Sequence, residues 1–389
     1  MIKKAVPHYD VIIIGSGSVG TPAAFYCALS GLKVLVLDKD ASVGQESNKK
    51  AIGGIRATHS DPAKISLSLR SIEIFSTWKE TYGEDIEWYQ GGYCFVAYRE
   101  EEEQSLKSLL GKQKSMRLNI DWLDKEDLLD RVPDLNPNDL LGGTFSPEDG
   151  SASPLLAMHA IYDHALLQGA EYHFNEPVVE ILTQSGHVVG VRTSMATYGT
   201  DVVVIAAGAW ANQVGKLAGL DIPVKPDAHE AAITEPVAHF LDPMVVDIRP
   251  VPGSSNFYFY QHITGQIIFC ITPSPNIWGF DTNETSVFLP QVASRMVDLM
   301  PRLKNLRVRR SWRGLYPMTP DGQPIIGWAK EVEGLFLAVG MCGQGFMLGP
   351  GLGELTQRAI HNRLTKEDQE ILALVNPYRS FERQEEKLQ

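Results

Sequence analysis

The sequence lacks the features that would suggest a metal centre, an exported protein or a nucleic-acid partner. Its four cysteines are widely scattered and form no C-x-x-C pair, so neither a zinc site nor an iron–sulfur cluster is predicted. The net charge of −12 argues against a partner whose phosphates would have to be neutralised. No apolar run approaches the length of a membrane span, and the N-terminus MIKKAVPHYD leads into a strand without a signal-peptide apolar region. We therefore expect a cytoplasmic protein with reduced thiols, no nucleic-acid partner and no membrane span.

Motifs of several enzyme classes are missing as well. The sequence contains no H-E-x-x-H, no G-x-S-x-G and no G-x-x-x-x-G-K-[ST], so metalloprotease, serine hydrolase and nucleotide-triphosphatase hypotheses have no starting point. What the chain does have is length and an ordinary composition. Its 389 residues, 44% hydrophobic and 21% charged, are enough to bury the cores of two domains without disulfide support.

Three stretches alternate strand and helix patterns as a doubly wound sheet does. In residues 9–38, the runs DVIIIG and KVLVLD predict buried strands on either side of an alanine-rich helix. Residues 149–211 contain a predicted helix at 154–169, a hairpin-like pair of strands and the strand DVVVIAAG. In residues 334–362, the strand GLFLAVG leads through glycines into a helix. This alternation predicts one α/β domain assembled from separate stretches.

The intervening residues differ in character. Residues 87–145 and 216–318 hold many Tyr, Phe and Trp in short alternating runs such as NFYFYQ, which predict antiparallel sheet. We therefore predict an α/β fold in which a discontinuous, Rossmann-like nucleotide-binding domain carries an inserted α+β substrate domain built on an antiparallel sheet. The predicted bounds are 1–86, 149–215 and 319–375 for the first domain, 87–148 and 216–318 for the second, and 376–389 for a polar tail. The charged segment from Glu100 is predicted to be a solvated helix.

The strongest single motif is DVIIIGSGSVG, in which Gly15, Gly17 and Gly20 have the spacing G-x-G-x-x-G. It follows a predicted strand, opens a helix and is followed by a second strand that ends at Asp38. The glycines allow a tight turn and a close approach to a pyrophosphate, and the helix N-terminus offers N–H groups to the phosphates. Asp38 can accept hydrogen bonds from an adenosine ribose. The motif predicts a dinucleotide cofactor but does not separate FAD from NAD.

A second glycine-rich segment lies near the C-terminus, between a predicted strand and a helix. Such density suits a backbone that lies against a planar ring system, with the partial positive charge of the helix aimed at the N1–C2=O edge of a flavin. A flexible or close-packing loop is the alternative interpretation. The first interpretation favours FAD. The glycines are Gly340, Gly343, Gly345, Gly349, Gly351 and Gly353.

Together these motifs resemble the D-amino-acid oxidase family. The shared features are the fingerprint with Asp38, GGIR at 53–56, DVVVIAAGAW at 201–210, WRGLYPMTPDGQPIIG at 312–327 and the glycine-rich end, in the family's order over nearly the whole chain. Within the family, the sequence resembles glycine oxidase, sarcosine oxidase and the β subunits of dye-linked L-proline dehydrogenases. The resemblance implies FAD as cofactor and oxidation of the C–N bond of an amino acid by hydride transfer to flavin N5.

The motifs and the resemblance suggest which residues contact FAD. They form the opening turn, the end of the second strand, the segment before GGIR, the central strands and the glycine-rich end. These residues are Gly15, Gly17, Ser18, Val19, Gly20, Asp38, Lys39, Ser47, Asn48, Gly53, Gly54, Val178, Ala207, Gly208, Trp210, Gly314, Gly343, Gly345, Phe346 and Met347.

Three positions depart from these relatives. Gly314 stands where monomeric sarcosine oxidases carry the flavin on a cysteine, so we expect non-covalent FAD. Met347 matches the lysine that holds the substrate carboxylate in those enzymes, and their oxygen-activating lysine aligns near Cys270. Because a fixed cation near N5 favours superoxide formation electrostatically, its absence favours a dehydrogenase over an oxidase.

The resemblance also suggests residues of the substrate site. Arg56 is expected near the flavin, where it would clamp a carboxylate, contact the pyrophosphate or form a structural ion pair. Tyr258, Tyr260 and His262 share one face of a strand that the family places over the flavin ring, although alternating aromatics often serve packing alone. Tyr316 matches the arginine with which glycine oxidase grips the carboxylate, and would donate a hydroxyl instead. Gln344 and His229 are further pocket candidates, and Met341 and Met347 would line the pocket or fill space.

The leading hypothesis is an FAD-dependent enzyme, a dehydrogenase rather than an oxidase, that converts a small amino acid or secondary amine of proline, sarcosine or glycine type to an imine, which water hydrolyses. One alternative is a flavoenzyme that oxidises a 2-hydroxy acid, with His229 or His262 as base. Another is a flavin-bearing electron-transfer subunit of a hetero-oligomeric dehydrogenase. The expected partner is the small substrate. A homo-oligomer and a hetero-oligomer with small redox subunits both stay open.

Overall fold

The computed structural model describes residues 6–382 and residue 388. The α-helices in this part of the chain are α1 (Gly20–Leu29), α2 (Ser47–Lys50), α3 (Pro62–Tyr82), α4 (Glu100–Ser115), α5 (Lys125–Arg131), α6 (Pro154–Leu167), α7 (Ala211–Lys216), α8 (Phe288–Leu299), α9 (Gly345–Ile360) and α10 (Lys366–Val375). Short 3₁₀ helices occupy Gly208–Trp210 and Pro301–Asn305.

The strands of the same residues form four sheets. They are β1 (Val11–Ile14), β2 (Val34–Leu37), β3 (Gly54–Ile55), β4 (Tyr93–Ala97), β5 (Asp121–Asp124), β6 (Gly142–Ser146), β7 (Gly150–Ser151), β8 (Glu171–His173), β9 (Val178–Gln184), β10 (His187–Thr193), β11 (Thr197–Gly199), β12 (Val203–Ile205), β13 (Lys225–Thr234), β14 (Met244–Asp247), β15 (Gly253–Gln261), β16 (Ile267–Ser274), β17 (Val308–Met318), β18 (Ile325–Trp328) and β19 (Leu335–Val339).

A six-stranded sheet combines strands from all three predicted α/β stretches. Its order is β18-β19-β12-β1-β2-β8, with every neighbouring pair parallel except β18 and β19. One face packs against α1, α6 and α9, and the other against the small sheet of β9, β10 and β11. Because both faces are covered, β1 and β2 are buried at every position, which explains their continuous apolar runs.

An eight-stranded sheet is built from the aromatic-rich segments, in the order β17-β13-β16-β15-β14-β4-β6-β5. The prediction of an antiparallel sheet is wrong at one place, because β14 and β4 pair in parallel. These two strands come from different aromatic-rich segments, so no hairpin turn fixes their relative direction. The other neighbouring pairs are antiparallel. The result is a mixed α/β fold with parallel and antiparallel sheets.

The helix α4 is less solvated than predicted. Leu106 and Leu109, three residues apart, are buried in a cluster with the strand β4. Glu102 is also buried, because its carboxylate accepts hydrogen bonds from the backbone N–H groups of Tyr98 and Arg99, each at 3.0 Å. The acidic run therefore forms the first turn of a helix whose apolar face packs on the sheet.

Part of the predicted polar tail is packed against the protein. Arg379 is buried and donates to both carboxylate oxygens of Asp321, at 2.8 and 2.9 Å. Leu388 is also buried, in the cluster that contains Phe95 and Met244. Residues 383–387 and 389 of this prediction lie outside the described residues.

The cysteines, the possible metal ligands and the longest helices bear on what the sequence lacks. The four cysteines are buried and not disulfide-bonded. Within residues 6–382 and residue 388, no group of three or more His, Cys, Asp or Glu side chains is arranged to hold a metal ion. None of the helices in these ranges combines the length and apolar character needed to cross a membrane.

Candidate functional site

A cavity of about 500 Å³ lies between the six-stranded sheet and the eight-stranded sheet. Its walls combine the loops that follow β1, β2, β12 and β19 with side chains of β4, β13, β14, β15, β16 and β17. Parallel strands of the first sheet thus end at the cavity, which is where ligands of open α/β sheets bind. The glycine turn after β1 forms one end of the wall, and the aromatic sheet forms the other.

The turn after β1 fits a diphosphate. Gly15 has φ of +108°, and a Cβ at Gly20 would lie 1.9 Å from the carbonyl oxygen of Gly15, so both positions require glycine. A Cβ at Gly17 would meet no atom within 4 Å, because this residue faces open space. The helix α1 then begins at Gly20 without a side-chain cap, which leaves its N-terminal dipole available to an anion.

Asp38 is held at the rim of the same turn. Its Oδ2 accepts hydrogen bonds from the backbone N–H and the hydroxyl of Ser16, both at 2.6 Å, and its Oδ1 accepts one from the N–H of Asp40 at 2.9 Å. Nearby, the ammonium of Lys39 lies 4.2 Å from the ring centre of Trp210. The oriented carboxylate and this cation–aromatic pair fit the adenosine end of the predicted cofactor.

The glycine-rich end divides into two parts with different roles. Gly343, with φ of +83°, and Gly345 border the cavity, and α9 begins at Gly345 without a side-chain cap. Gly349 and Gly353 instead face α1 and the turn before it, where a Cβ would lie 1.8 Å from the carbonyl oxygen of Ser18 in the turn or 2.7 Å from the carbonyl carbon of Pro22 in the helix. The first half therefore offers backbone to a ligand, whereas the second half allows two helices to pack closely.

Two tyrosine hydroxyls meet at the aromatic wall. The hydroxyls of Tyr258, on β15, and Tyr316, on β17, are 2.8 Å apart. Burial holds the pKa of Tyr258 well above its usual range, and the neighbouring Cys270 and Tyr316 act in the same direction. Both tyrosines are therefore neutral phenols at physiological pH. Since one hydroxyl of the pair donates to the other, one phenolic proton is left to donate to an acceptor in the cavity.

A buried acid and imidazole support this wall from β13. The Nε2 of His229 lies 3.0 Å from Oδ2 of Asp227, and the imidazole stacks on the ring of Tyr316 with centroids 3.7 Å apart. The Nδ1 of His229 has neither accessible surface nor a hydrogen-bond partner among the described residues. His229 therefore presents a ring face, rather than a free nitrogen, to its surroundings.

Arg56 borders the cavity and is fixed by several contacts. Its guanidinium donates to the carbonyl oxygens of Thr58 and Leu388 and lies 3.1 Å from Nδ1 of His59. It also lies over the ring of Phe95, 5.3 Å from its centroid. These contacts leave the cation buried beside an apolar wall, where an anion would be attracted to it.

Asp149 holds the chain segment that carries Arg56. Its two carboxylate oxygens accept hydrogen bonds from the backbone N–H of Ala57 and the hydroxyl of Thr58, each at 2.9 Å. Complete burial raises the pKa of Asp149 to about 6, against the lowering effect of these bonds and of the Arg56 charge.

The structure brings most of the predicted residues together. The predicted cofactor residues all border the cavity except Gly20, which packs against the turn itself. Arg56, Tyr316, Gln344 and the lower-ranked His229 and Met341 also border it, as does Tyr258.

Tyr260 and His262 are not brought to the cavity. The hydroxyl of Tyr260 donates to the carbonyl oxygen of Ile52, behind the cavity wall. His262 lies 3.4 Å from a carboxylate oxygen of Glu87, at the end of the strand. The alternation that places Tyr258 and Tyr260 on one face is present, but only the first of them reaches the cavity.

Sequence reasoning missed several wall residues. Tyr93, Phe95, Met244 and Val246 come from β4 and β14, whose apolar patterns carry no sign of a site. Asp227 had a usable signal, because its spacing of two from His229 on a predicted strand places both side chains on one face.

Comparison with known proteins agrees with this geometry. Residues 10–359 match the model of the family described as "FAD dependent oxidoreductase". The chain is 27% identical to glycine oxidase of Geobacillus kaustophilus, over 93% of this chain and 95% of that protein. It is 26% identical to human mitochondrial sarcosine dehydrogenase, over 92% of this chain but 40% of that longer protein. The crystal structure of L-proline dehydrogenase from P. horikoshii superposes with a TM-score of 0.90 and 30% identity, over 96% of this chain and 98% of that one.

Proposed function

Because the chain belongs to the family of FAD-dependent oxidoreductases, we propose that it oxidises the C–N bond of a small amino acid or secondary amine. The observation that carries the proposal is one cavity that joins a diphosphate-type glycine turn to a wall bearing two tyrosine hydroxyls and a buried arginine. Relatives named for glycine, sarcosine and L-proline support a small amino acid as substrate.

The proposed cofactor site uses both glycine-rich ends. Gly15, Gly17 and the start of α1 would receive the diphosphate, and Asp38 the ribose hydroxyls. The cavity-facing glycines before α9 would lie along the ring system. Gly314 borders the cavity without any group able to form a bond to the flavin, which supports non-covalent FAD.

The domain division predicted from the sequence is retained as part of this proposal. The six-stranded sheet and its helices, in residues 1–86, 149–215 and 319–375, would be a discontinuous FAD-binding domain of Rossmann type. The eight-stranded sheet, in 87–148 and 216–318, would be the inserted substrate domain. Cytoplasmic location and the oligomeric state stay predictions.

The chain's own residues would bind and orient the substrate. The hydroxyl pair of Tyr258 and Tyr316 would donate its remaining proton to the carboxylate of the amino acid, and the charge of Arg56 would stabilise that carboxylate. Apolar side chains such as Phe95 and Met244 would exclude water from the reacting carbon. FAD, when bound, supplies the hydride acceptor at N5. An amine that binds in its neutral form needs no strong base, and its imine product is hydrolysed by water.

Oxidation of a 2-hydroxy acid is less well supported, because that reaction requires a base at the cavity. His229 has its Nε2 engaged by Asp227 and its Nδ1 covered. His262 lies outside the cavity lining and pairs with Glu87. Neither histidine therefore offers a free nitrogen to a substrate hydroxyl. The absence of a lysine at Cys270, the position aligned with the oxygen-activating lysine, supports a dehydrogenase rather than an oxidase.

Anaerobic mixing of the FAD-loaded protein with single amino acids and amines tests the proposal. Glycine, sarcosine, L-proline and L-lactate form a suitable panel, and bleaching of the flavin absorbance is the readout. We expect bleaching by at least one amino acid and none by lactate. Bleaching by lactate alone would replace this proposal with the hydroxy-acid reaction, and no bleaching by any amine in a wider panel would refute it.

A further inference from the structure

The buried pair Asp227 and His229 has no direct part in the proposed reaction, yet His229 stacks on Tyr316, which lines the cavity. Both residues lie on β13, two positions apart. The pairing of β13 with β17 puts Asp227 opposite Tyr316 and His229 opposite Gly314. Gly314 has no side chain, and the imidazole of His229 lies over the Tyr316 ring with an interplanar angle of 15°.

Asp227 holds the imidazole of His229 through a hydrogen bond to Nε2. Its carboxylate accepts hydrogen bonds from His229 Nε2 at 3.0 Å, Asn276 Nδ2 at 2.7 Å and the backbone N–H of Ile277 at 2.6 Å. Burial would raise the pKa of Asp227, but these bonds outweigh it and lower the pKa. Since an ionised carboxylate only accepts, Nε2 of His229 carries a proton and the ring is held in one orientation.

The opposite face of the Tyr316 ring is closed by backbone. A Cβ at Gly343 would lie 2.2 Å from the ring atom Cε2 of Tyr316. The ring therefore lies between the imidazole of His229 and the glycine-rich segment before α9. With both faces covered, the hydroxyl of Tyr316 can point in few directions, and it meets the hydroxyl of Tyr258 at 2.8 Å.

We propose that Asp227 and His229 are positioning residues that hold the Tyr316 hydroxyl, with that of Tyr258, in a fixed geometry for the carboxylate of the substrate. The proposal rests on the proposed function in one respect, namely that the ligand at this wall carries a carboxylate. Donors that are already ordered bind an anion more tightly than mobile ones, because less conformational freedom is lost on binding. The pair thereby makes the site selective for amino acids over amines that lack the carboxylate.

Binding of pyrrole-2-carboxylate to the FAD-loaded protein, followed through the flavin absorption spectrum, tests this role. Pyrrole-2-carboxamide serves as the matched neutral ligand. Tyr316→Phe should weaken binding of the carboxylate about tenfold, because it removes a hydrogen bond to a charged group. His229→Leu should weaken it about fivefold while changing binding of the carboxamide less than about twofold. In a Tyr316→Phe background, His229→Leu should weaken binding of the carboxylate by less than a further factor of about two, because the Tyr316 hydroxyl that His229 positions is gone.

Asp227→Asn provides a second test that keeps the imidazole. An amide offers one acceptor oxygen where the carboxylate offers two, so one of the three donors loses its partner. We expect a loss of carboxylate affinity similar to that of His229→Leu, and again almost none when Tyr316 is already phenylalanine. Thermal unfolding and FAD content establish whether each variant is folded. If His229→Leu does not fold, Asp227→Asn serves as the test in its place.

Three results would overturn the proposal. The first is multiplication of the His229→Leu and Tyr316→Phe effects in the double variant, which would make the role of His229 independent of Tyr316. The second is equal weakening of the carboxylate and the carboxamide. The third is failure of the unmodified protein to bind pyrrole-2-carboxylate at millimolar concentration. Failure of amine oxidation is distinguishable from all three, because the aromatic probe is bound but not oxidised.

Discussion

The two ends of the cavity are built in different ways. The glycine turn between Gly15 and Asp38 comes from one stretch of chain, and the bonds of Ser16 to Asp38 and the close approach of Gly20 to Gly15 lie within that stretch. The aromatic wall joins Tyr258 to Tyr316 and His229, from three strands of an eight-stranded sheet, and adds Arg56 from a distant loop. The glycine turn, built from one stretch of chain, suits a diphosphate, which many proteins bind. The aromatic wall, built from several strands and a loop, can vary with the substrate.

This difference implies different responses to substitution. At the turn, a Cβ at Gly15 or Gly20 would collide with backbone atoms, whereas a Cβ at Gly17 would meet no atom within 4 Å. At the wall, each side chain is supported by others, so a change should act through partners and be smaller. We expect the largest loss of stability from a substitution in the glycine turn.

Gly20→Val should abolish folding of the FAD-bound protein. The new Cβ would lie 1.9 Å from the carbonyl oxygen of Gly15, a backbone atom that cannot move aside. We expect a loss of at least about 4 kcal/mol in the free energy of unfolding, measured by denaturant titration. Gly111→Val is the matched control, because a Cβ at Gly111, on α4, meets nothing within 4 Å. Comparable loss in both variants would contradict the explanation.

Asp149, which supports the segment carrying Arg56, should make stability depend on pH. Its pKa rises from 3.8 to about 6 on burial, so the folded protein binds this proton more tightly than the unfolded chain. The contribution of the protonated Asp149 to the free energy of unfolding, about 3 kcal/mol, is fully present below pH 4 and is lost as the pH rises through 6. Between pH 4 and pH 7, the unfolding free energy of the unmodified protein should therefore fall relative to that of Asp149→Asn. A constant difference would contradict the assigned pKa.

The same contrast explains what the sequence could predict. The strand–turn–helix with Asp38 was predictable because its residues are consecutive and their roles follow from glycine geometry and helix termini. The parallel pairing of β14 with β4 was not, since no turn joins them. Tyr258 and Tyr260 have the same local pattern, and the contact that holds the Tyr260 hydroxyl on the carbonyl oxygen of Ile52 joins segments far apart in sequence, so the pattern does not show it. The glycines of the C-terminal segment look alike in sequence, yet Gly349 packs against Ser18 in the turn before α1, whereas Gly343 borders the cavity.

Gly17→Val should separate cofactor binding from folding within the turn. Its Cβ would meet no protein atom, so stability of the FAD-free protein should change by less than about 1 kcal/mol. The side chain would project into the space proposed for the diphosphate, and the Kd for FAD should rise about 100-fold, equivalent to about 2.7 kcal/mol. Titration of FAD fluorescence measures the Kd. Unchanged affinity would show that no phosphate approaches Gly17, whatever the outcome at Gly20.

Tyr258→Phe should have the smallest effect, confined to substrate binding. The change removes one of two hydroxyls that are 2.8 Å apart, and Tyr316 and Arg56 remain to bind the carboxylate. We expect the KM of the amino acid that bleaches the flavin to rise about fivefold with kcat within about twofold, the pattern of lost ground-state binding. Tyr260→Phe, two residues along the same strand, changes a residue that does not line the cavity and removes a hydroxyl that donates to the carbonyl oxygen of Ile52, so it should lower stability by about 1 kcal/mol without changing KM. Steady-state kinetics and denaturant titration of both variants decide the matter. If the two changes affected KM equally, the wall would not be an assembly of distinct side chains, and its contrast with the glycine turn would fail.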